Sequence, residues 1–555
     1  MQRIEELTIP GLLAGITERM PDEVCLVQGR EVFSFRRLQR MANGFSLFLS
    51  RAGVDNARPG PDGMCDAARV GILLRTCPAY LVAMLGSAIH RAAAFNINYR
   101  YTVDELTELF RDAAPHAVVV HDEFATAAAE ALRRADVKAR LIQVADAHGA
   151  ELVPGASRWS EIEALAGDVP SSDSWSPDDP YLLFTGGTTG KPKGVLWRQA
   201  DALVSAFVVV DKDGSEFPDL AAAVEAAANR RHRRIVMSAP PLMHGAGQWF
   251  ALGALLGGGK VVLPEDAVSF DAESIVDAIC RESVTELMVV GDALARPLVH
   301  HIAESGREMP QLRTVINGGA ALSSGIRARL LELVPGLRII DGMGSSESGR
   351  QAVRHFTASE SISSRAVQMQ GMTGTAVLSE DRTRILTPRE PEIGWLARTG
   401  RIPLGYLNDP EKTRQTFPAV DGRRYVIPGD RARYLEDGTI EILGREANTI
   451  NTGGEKVFGE EVEAVLLSHP TVLDCLVVGQ PDEQWGERIV AIVATNTSID
   501  SAELVTHVGQ QLARYKLPKT FLFVDSVPRT PAGKADYPAA RALLSLSLQP
   551  DNAPA

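Results

Sequence analysis

Short apolar runs separated by helix-length segments set the rhythm of the chain. Glu31-Val-Phe-Ser-Phe reads as a strand, and the segment after it, RRLQRMANGFSLFLSRAG, as a helix closing at Gly53. Arg69 to Leu74 is a buried strand, Ala79–Arg91 an apolar helix, and Val118–His121 and Arg140–Val144 are further strands. Strands alternating with helices predict a largely parallel sheet with helices on its faces. Residues 55–67 carry the Gly, Pro and Asp of a surface loop, and residues 211–234 predict a helical insertion with a basic, solvated end. Downstream, Asp271 is the predicted N-cap of a helix, and Thr285–Pro297 a buried strand running into another. Two more strands, within Thr314–Ala321 and Leu337–Asp341, end in loops of small residues, where ligands of parallel sheets collect. Glu461 and Glu463 open an amphipathic helix in harmony with its dipole. The end of the chain offers strands at Leu476–Gly479 and Ile489–Ala494, a helix at Ala502–Arg514, and a disordered tail at 549–555.

One interruption of that rhythm carries chemistry. Between the apolar strands Tyr181–Phe184 and Val195–Trp197 lies TGGTTGKPKG, residues Thr185–Gly194. Its glycines let backbone N–H groups approach a ligand closely, its threonines donate, and its lysines supply charge, a combination suited to a polyanion. It is not a Walker A loop, because Pro192 follows Gly190-Lys191 and Thr185 stands where the first glycine belongs. The bland reading is a turn that only punctuates two strands.

Bulk properties narrow the setting. A chain of 555 residues exceeds one compact core, so two or more domains are expected. With 57 basic and 70 acidic residues the formal charge is −13, which argues against a nucleic-acid surface. Five scattered cysteines without a CxxC pair read as reduced thiols of a cytoplasmic protein. The acidic residues of the first segment do not form a signal peptide, and no apolar run is long enough for an integral membrane segment.

Four further stretches set reactive side chains in small-residue turns: PPLMHGAG with His244, DGMGSSES with Ser346 and Glu347, RYVIPGD with Asp430, and PRTPAGK with Lys534. Each alone reads as an ordinary turn. No GxSxG is present to activate a serine nucleophile. Taken in order with the Thr185–Gly194 loop, they resemble the adenylate-forming superfamily of acyl-CoA synthetases, insect luciferases and peptide-synthetase adenylation domains. The chain departs from the family pattern at Gly186, where serine is usual, at Pro428 in place of Thr, and at Ala447 in the hinge. The family's aromatic that stacks on adenine has no counterpart in the DGMGSSES loop, where Met343 is the nearest candidate.

The resemblance implies a mixed α/β fold: a large N-terminal domain of β-sheets flanked by helices (1–443) and a small mobile α+β C-terminal domain (444–555). It implies ATP, CoA and a small-molecule carboxylic acid as substrates, with Mg²⁺ on the ATP; a homodimer is compatible with it. Thr185, Gly186, Gly187, Thr188, Thr189, Gly190 and Lys193 would hold the β- and γ-phosphates. Gly318, Gly319, Ala320, Asp341, Gly342 and Met343 would form the nucleotide wall, with Ser346 on phosphate and Glu347 on Mg²⁺. Asp430 would accept the ribose hydroxyls, a task for a group with acceptors only, and Arg445 would touch ribose and phosphate. His244 would gate the acyl site, Gly453 and Gly454 would let pantetheine pass, and Lys534 would catalyse adenylation. GDALARP (Gly291–Pro297), NGGAA (Asn317–Ala321) and PPLMHGAG resemble the branch acting on long-chain acids or sterol side chains, their small residues leaving room for a bulky tail. Three other readings stay open: delivery of acyl-AMP to a carrier protein, amino-acid adenylation, and a non-catalytic nucleotide-binding sensor. The second lacks a carboxylate partner for a substrate ammonium.

Overall fold

Alternation of strand and helix holds through the first half of the chain. The computed structural model describes residues 6–55, 67–146, 149–167, 175–186, 192–358, 368–452, 455–482, 485–530 and 533–547. The architecture is mixed α/β, with a large sheet-rich N-terminal part and a small C-terminal domain. The chain divides into two compact units: Met1–Met288 with Ser345–Gly349 and Arg401–Phe417, and Val289–Gly344 with Arg350–Gly400 and Pro418–Ala555.

In the first unit, five strands pair in the order Ala93–Asn96, Arg69–Leu73, Ala117–His121, Arg140–Val144, Ser157–Arg158, all parallel. Both faces of such a sheet are covered, which is why these strands read as continuous apolar runs. Alternate residues, Val118 and Val120 with Phe95, point into a core shared with Leu182, Phe184 and Leu196. Those last three belong to an antiparallel hairpin, Pro180–Gly186 with Pro192–Arg198, on which Thr185 stands opposite Lys193. The short strand Gly405–Tyr406 adds to its outer edge. A separate run orders Glu31–Ser34, Val24–Gln28, Lys260–Leu263, Ile235–Ser238 and Glu286–Val289. It is parallel beyond its first hairpin.

In the second unit, Thr314–Gly318 pairs parallel with Arg338–Ser345. The antiparallel strands Gly394–Thr399, Asp430–Tyr434 and Ile440–Arg445 follow in the same unit. Toward the chain's end, Val472–Asp482 and Gly486–Thr495 form a long antiparallel pair. Their period of two is visible in the burial: Val477, Ile489 and Ala491 face the helix residues Val462 and Leu466, while Leu476, Val478 and Val490 face Ala540 and Leu544.

Several expectations change in detail. The insertion is helical only over Leu220–Ala228. Its basic end is tied back as structure, with Arg233 donating to the carbonyls of Gly258 and Gly259 and Arg234 pairing with Glu286. The helix expected at Ala502–Arg514 stops at Gly509, and a separate short turn covers Arg514–Lys516. The strand expected to end at Asp341 runs on to Ser345. It continues because Asp341 and Met343 both find partners inside the fold, described below. Asp271 caps its helix as expected, accepting from the N–H groups of Glu273 and Ser274. Glu463 faces inward, accepting from Val477 N at 2.8 Å and from the Tyr537 hydroxyl at 3.1 Å, and burial pushes its carboxyl up to about 8. The expected tail at 549–555 lies outside the described residues. No described helix is long and apolar enough to cross a membrane.

Candidate active site

The first unit holds the hairpin of Thr185 and Lys193, the His244 turn, and the Ser346–Glu347 turn. Thr185 and Gly186 end one strand and Lys193 begins the next; Gly187, Thr188, Thr189 and Gly190 lie outside the described residues. The hairpin is tight at its second arm, since a Cβ on Gly194 would lie 2.9 Å from the Phe184 ring. His244 is the N-cap of the helix Gly245–Leu255 and is braced by its own N–H on Pro241 O. Its Nε2 is shut off from solvent. Behind it, Gln248 receives the Tyr181 hydroxyl and donates to the Tyr80 hydroxyl, and Trp249 Nε1 donates to Tyr181 at 2.8 Å.

Sequence reasoning missed the residue that joins these two motifs. Asn96, buried at the end of an apolar strand, donates to Phe184 O at 2.8 Å and Met243 O at 2.7 Å, and accepts from Phe184 N at 2.8 Å. It thereby couples the residue before Thr185 to the residue before His244. The signal was there to find: a polar side chain closing the run Ala-Ala-Phe-Asn needs buried partners.

Glu347 sits in a turn that the structure fixes from three sides. Trp197 Nε1 donates to Ser346 O at 3.1 Å, and Glu347 N donates to Ser345 Oγ. Gly349 has φ +65°, and a Cβ there would meet Ser205 O at 2.5 Å, so only glycine closes the turn. The Tyr406 hydroxyl donates to Glu347 Oε1 at 2.8 Å. Burial first, then the Glu347 charge, push the Tyr406 phenol well above its ordinary range, so it acts as a donor. Lys193 Nζ lies 5.7 Å from the centre of the same ring. The bond of Tyr406 to Glu347 spans 59 residues and leaves no local trace in the sequence. One carboxylate flanked by serine hydroxyls is an all-oxygen donor set, which fits Mg²⁺ sharing its shell with phosphate oxygens.

The second unit holds the remaining candidates. Asn317, opposite Asp341 in the parallel ladder, donates to Asp341 Oδ1 at 2.7 Å and to Ala320 O at 2.9 Å, and accepts from Gly291 N at 2.7 Å. One side chain thus gathers the GDALARP, NGGAA and DGMG segments. Burial raises the Asp341 carboxyl above its usual range, against the pull of Arg327 and the Asn317 bond. Gly342 pairs with Gly318, and the Met343 side chain packs against Val377, Leu386 and Ile440. Asp430 is buried and accepts from Arg445 Nε at 3.3 Å, its ladder partner on the next strand. Glu460 reaches the same corner, accepting from Asn448 Nδ2 at 2.8 Å. Lys534 follows a turn closed by Thr530, whose N–H donates to Lys534 O at 2.8 Å and whose hydroxyl accepts from Lys534 N at 3.1 Å. The Lys534 stem lies over Gly319: a Cβ on that glycine, at φ +86°, would stand 3.6 Å from Lys534 Cε. Gly453 and Gly454 lie outside the described residues.

Charged side chains thus sit in glycine-bearing turns of both units, Glu347 beside Gly349 in the first and Lys534 beside Gly533 in the second. The chain belongs to the AMP-binding enzyme family: the family model matches residues 15–396, and the AMP-binding enzyme C-terminal domain matches residues 461–534. The chain is 39% identical over 545 residues to the medium-chain acyl-CoA ligase Mig of Mycobacterium avium, covering 96% of this chain and 98% of that one. It is 35% identical over 564 residues to the 3-oxocholest-4-en-26-oate–CoA ligase of Rhodococcus rhodochrous, covering 96% and 95%. In fold it is similar to the anthranilate CoA ligase AuaEII in complex with anthranoyl-AMP, with TM-score 0.80, 20% identity and 98% of each chain covered. It is also similar to ATP-bound MatB from Rhodopseudomonas palustris, with TM-score 0.77, 22% identity, and 96% and 98% covered.

Proposed function

We propose that this chain is an ATP-dependent acyl-CoA synthetase that joins a carboxylic acid to CoA through an acyl-adenylate. The observation that carries the reading is the Lys534 side chain lying against Gly319, in the loop that closes the strand Thr314–Gly318. In the first half-reaction the substrate carboxylate attacks the α-phosphorus of ATP and pyrophosphate leaves. Both reactants are anions, so fixed positive charge must screen them and stabilise the charge gathering at phosphorus. Lys534 bridges carboxylate and α-phosphate. The Thr185–Lys193 loop and Ser346 hold the phosphates, while Gly318, Gly319, Ala320, Asp341, Gly342 and Met343 form the nucleotide wall. Asp430 and Arg445 hold the ribose, His244 bounds the acyl site, and Glu347 would hold Mg²⁺, whose charge offsets that of the departing pyrophosphate. In the second half-reaction the residues beyond 443 act as a mobile domain. Lys534 withdraws, Gly453 and Gly454 admit pantetheine, the CoA thiolate attacks the acyl carbon and AMP leaves.

Tyr406 is the brace of Glu347 in this scheme. Tyr406→Phe is expected to raise the KM for MgATP roughly 3–10-fold, the scale of one net hydrogen bond. The value of kcat should hold near wild type. Initial rates over an ATP–Mg²⁺ grid measure both, and an unaltered KM would remove Tyr406 from the metal-binding role.

For the acid we propose a medium- or long-chain fatty acid or a sterol side-chain acid; the names of the two relatives support the medium-chain and the sterol readings. The test is an acid panel with ATP, Mg²⁺ and CoA, followed by thioester mass. Each buried methylene is worth about 0.8 kcal/mol, so the preferred chain should exceed acetate by at least about 10²-fold in kcat/KM. AMP release that does not depend on free CoA would instead favour a carrier-protein acceptor. No turnover across the panel would favour a non-catalytic sensor. The described cysteines, Cys25, Cys77, Cys280 and Cys475, are all unbridged; thiols of this kind suit a reducing compartment, and we assign the enzyme to the cytoplasm.

A further inference from the structure

GDALARP was set aside above as room for an acyl tail, yet its side chains meet a different part of the chain. The stretch forms the opening turns of the helix Gly291–Ser305. A Cβ on Gly533, the residue before Lys534, would lie 3.1 Å from Ala293 Cβ and 3.6 Å from Val290 O. One turn further on, Arg296 Nη2 donates to Leu473 O at 2.6 Å and to Asp292 Oδ2 at 2.8 Å. Asp292 is itself held, accepting from Ser323 N at 2.7 Å through its other oxygen. On the far side, Asp474 pairs with Arg529, which bridges in turn to Ala535 at the base of the lysine turn. Polar contacts on either side of the Leu473–Asp474 peptide link therefore join Ser323, beside the NGGAA turn, to the loop that carries Lys534.

We infer that Arg296 is a positioning residue, a latch that holds the Lys534 loop over Gly319 during adenylation and lets go for thioester formation. The inference rests on the proposed division of labour between the two half-reactions. A guanidinium suits the task because each of its nitrogens carries fixed donors, and Nη2 alone reaches Asp292 and a main-chain carbonyl at once. The target is a backbone carbonyl, so the latch does not depend on the side chain of Leu473. Its small neighbours have a reason too: Ala293 leaves space for the glycine turn to seat.

The experiment compares Arg296→Ala and Arg296→Met with the wild-type chain in the separate half-reactions. The methionine variant keeps an apolar stem of similar length and so preserves packing. Acid-dependent pyrophosphate exchange is expected to fall roughly tenfold in both, the scale of one hydrogen bond from a charged donor. Thioester formation from supplied acyl-AMP is expected to stay at the wild-type rate. Lys534→Ala, run alongside, tests the underlying reading. If it slows both half-reactions equally, that reading falls and the latch falls with it. If it separates them while the Arg296 variants slow both equally or neither, the latch alone is overturned.

Discussion

Lys534→Ala is expected to lower acid-dependent pyrophosphate exchange by roughly 10²–10³-fold, the scale for losing one donor aimed at transition-state charge. The argument starts from the turn. Thr530 holds the Lys534 backbone through both its N–H and its hydroxyl, and Gly533 takes φ +77°, so the lysine leaves a closed turn in one direction. That direction carries its stem across Gly319, where φ +86° favours glycine. On the proposed reading, an ammonium delivered there would meet the carboxylate and the α-phosphate while they are pushed together. In the thioester step the phosphorus is no longer attacked, so the same deletion should leave the reaction of supplied acyl-AMP with CoA within a few-fold of wild type. Quenched-flow measurement of the two steps decides it: equal losses in both would mean that the lysine supports the fold or CoA binding rather than adenylation.

How far the sequence could be read depended on the range over which each feature is encoded. The C-terminal strands were legible because period-two burial is local: Val477 and Leu476 face opposite cores one residue apart. Asp271 was legible as a cap because its bonds reach only two and three residues ahead. The family was legible from its motifs, and the family models match residues 15–396 and 461–534. What stayed hidden is how the motif turns are held. Asn96 binds Phe184 and Met243 across 88 and 147 residues, Tyr406 reaches Glu347 across 59, and Arg296 reaches Leu473 across 177. No periodicity records which distant backbone will stand beside a polar side chain. The strand Arg338–Ser345 shows the same limit. Glycine and serine after Asp341 suggested a loop, but Asn317 opposite Asp341 and the apolar cluster under Met343 keep the backbone extended. Tertiary partners overrode local composition.

Asp430→Ala tests the nucleotide assignment from the opposite side, through binding rather than chemistry. Asp430 is buried beside Arg445, with Gly429 and Gly444 next to the two in positive-φ conformations, so its carboxylate is held in one place and offers only acceptors. A ribose presents two adjacent hydroxyls that can donate. A hydrogen bond to a charged group is worth about 1.5–3 kcal/mol, so the KM for ATP should rise roughly 10–150-fold with a much smaller change in kcat. The removed carboxylate also leaves Arg445 without its partner, which could raise KM for a reason unrelated to ribose. The 2′-deoxy nucleotide separates the two causes. If Asp430 accepts the 2′-hydroxyl, the wild-type enzyme should prefer ATP over 2′-deoxy-ATP, because a site built for a hydroxyl is left with an unpaired acceptor when it is missing. The alanine variant should lose that preference and treat the two nucleotides alike. If it keeps the full wild-type preference, another group reads the 2′-hydroxyl, and the effect on ATP belongs to Arg445 or to the strand pair that carries both residues.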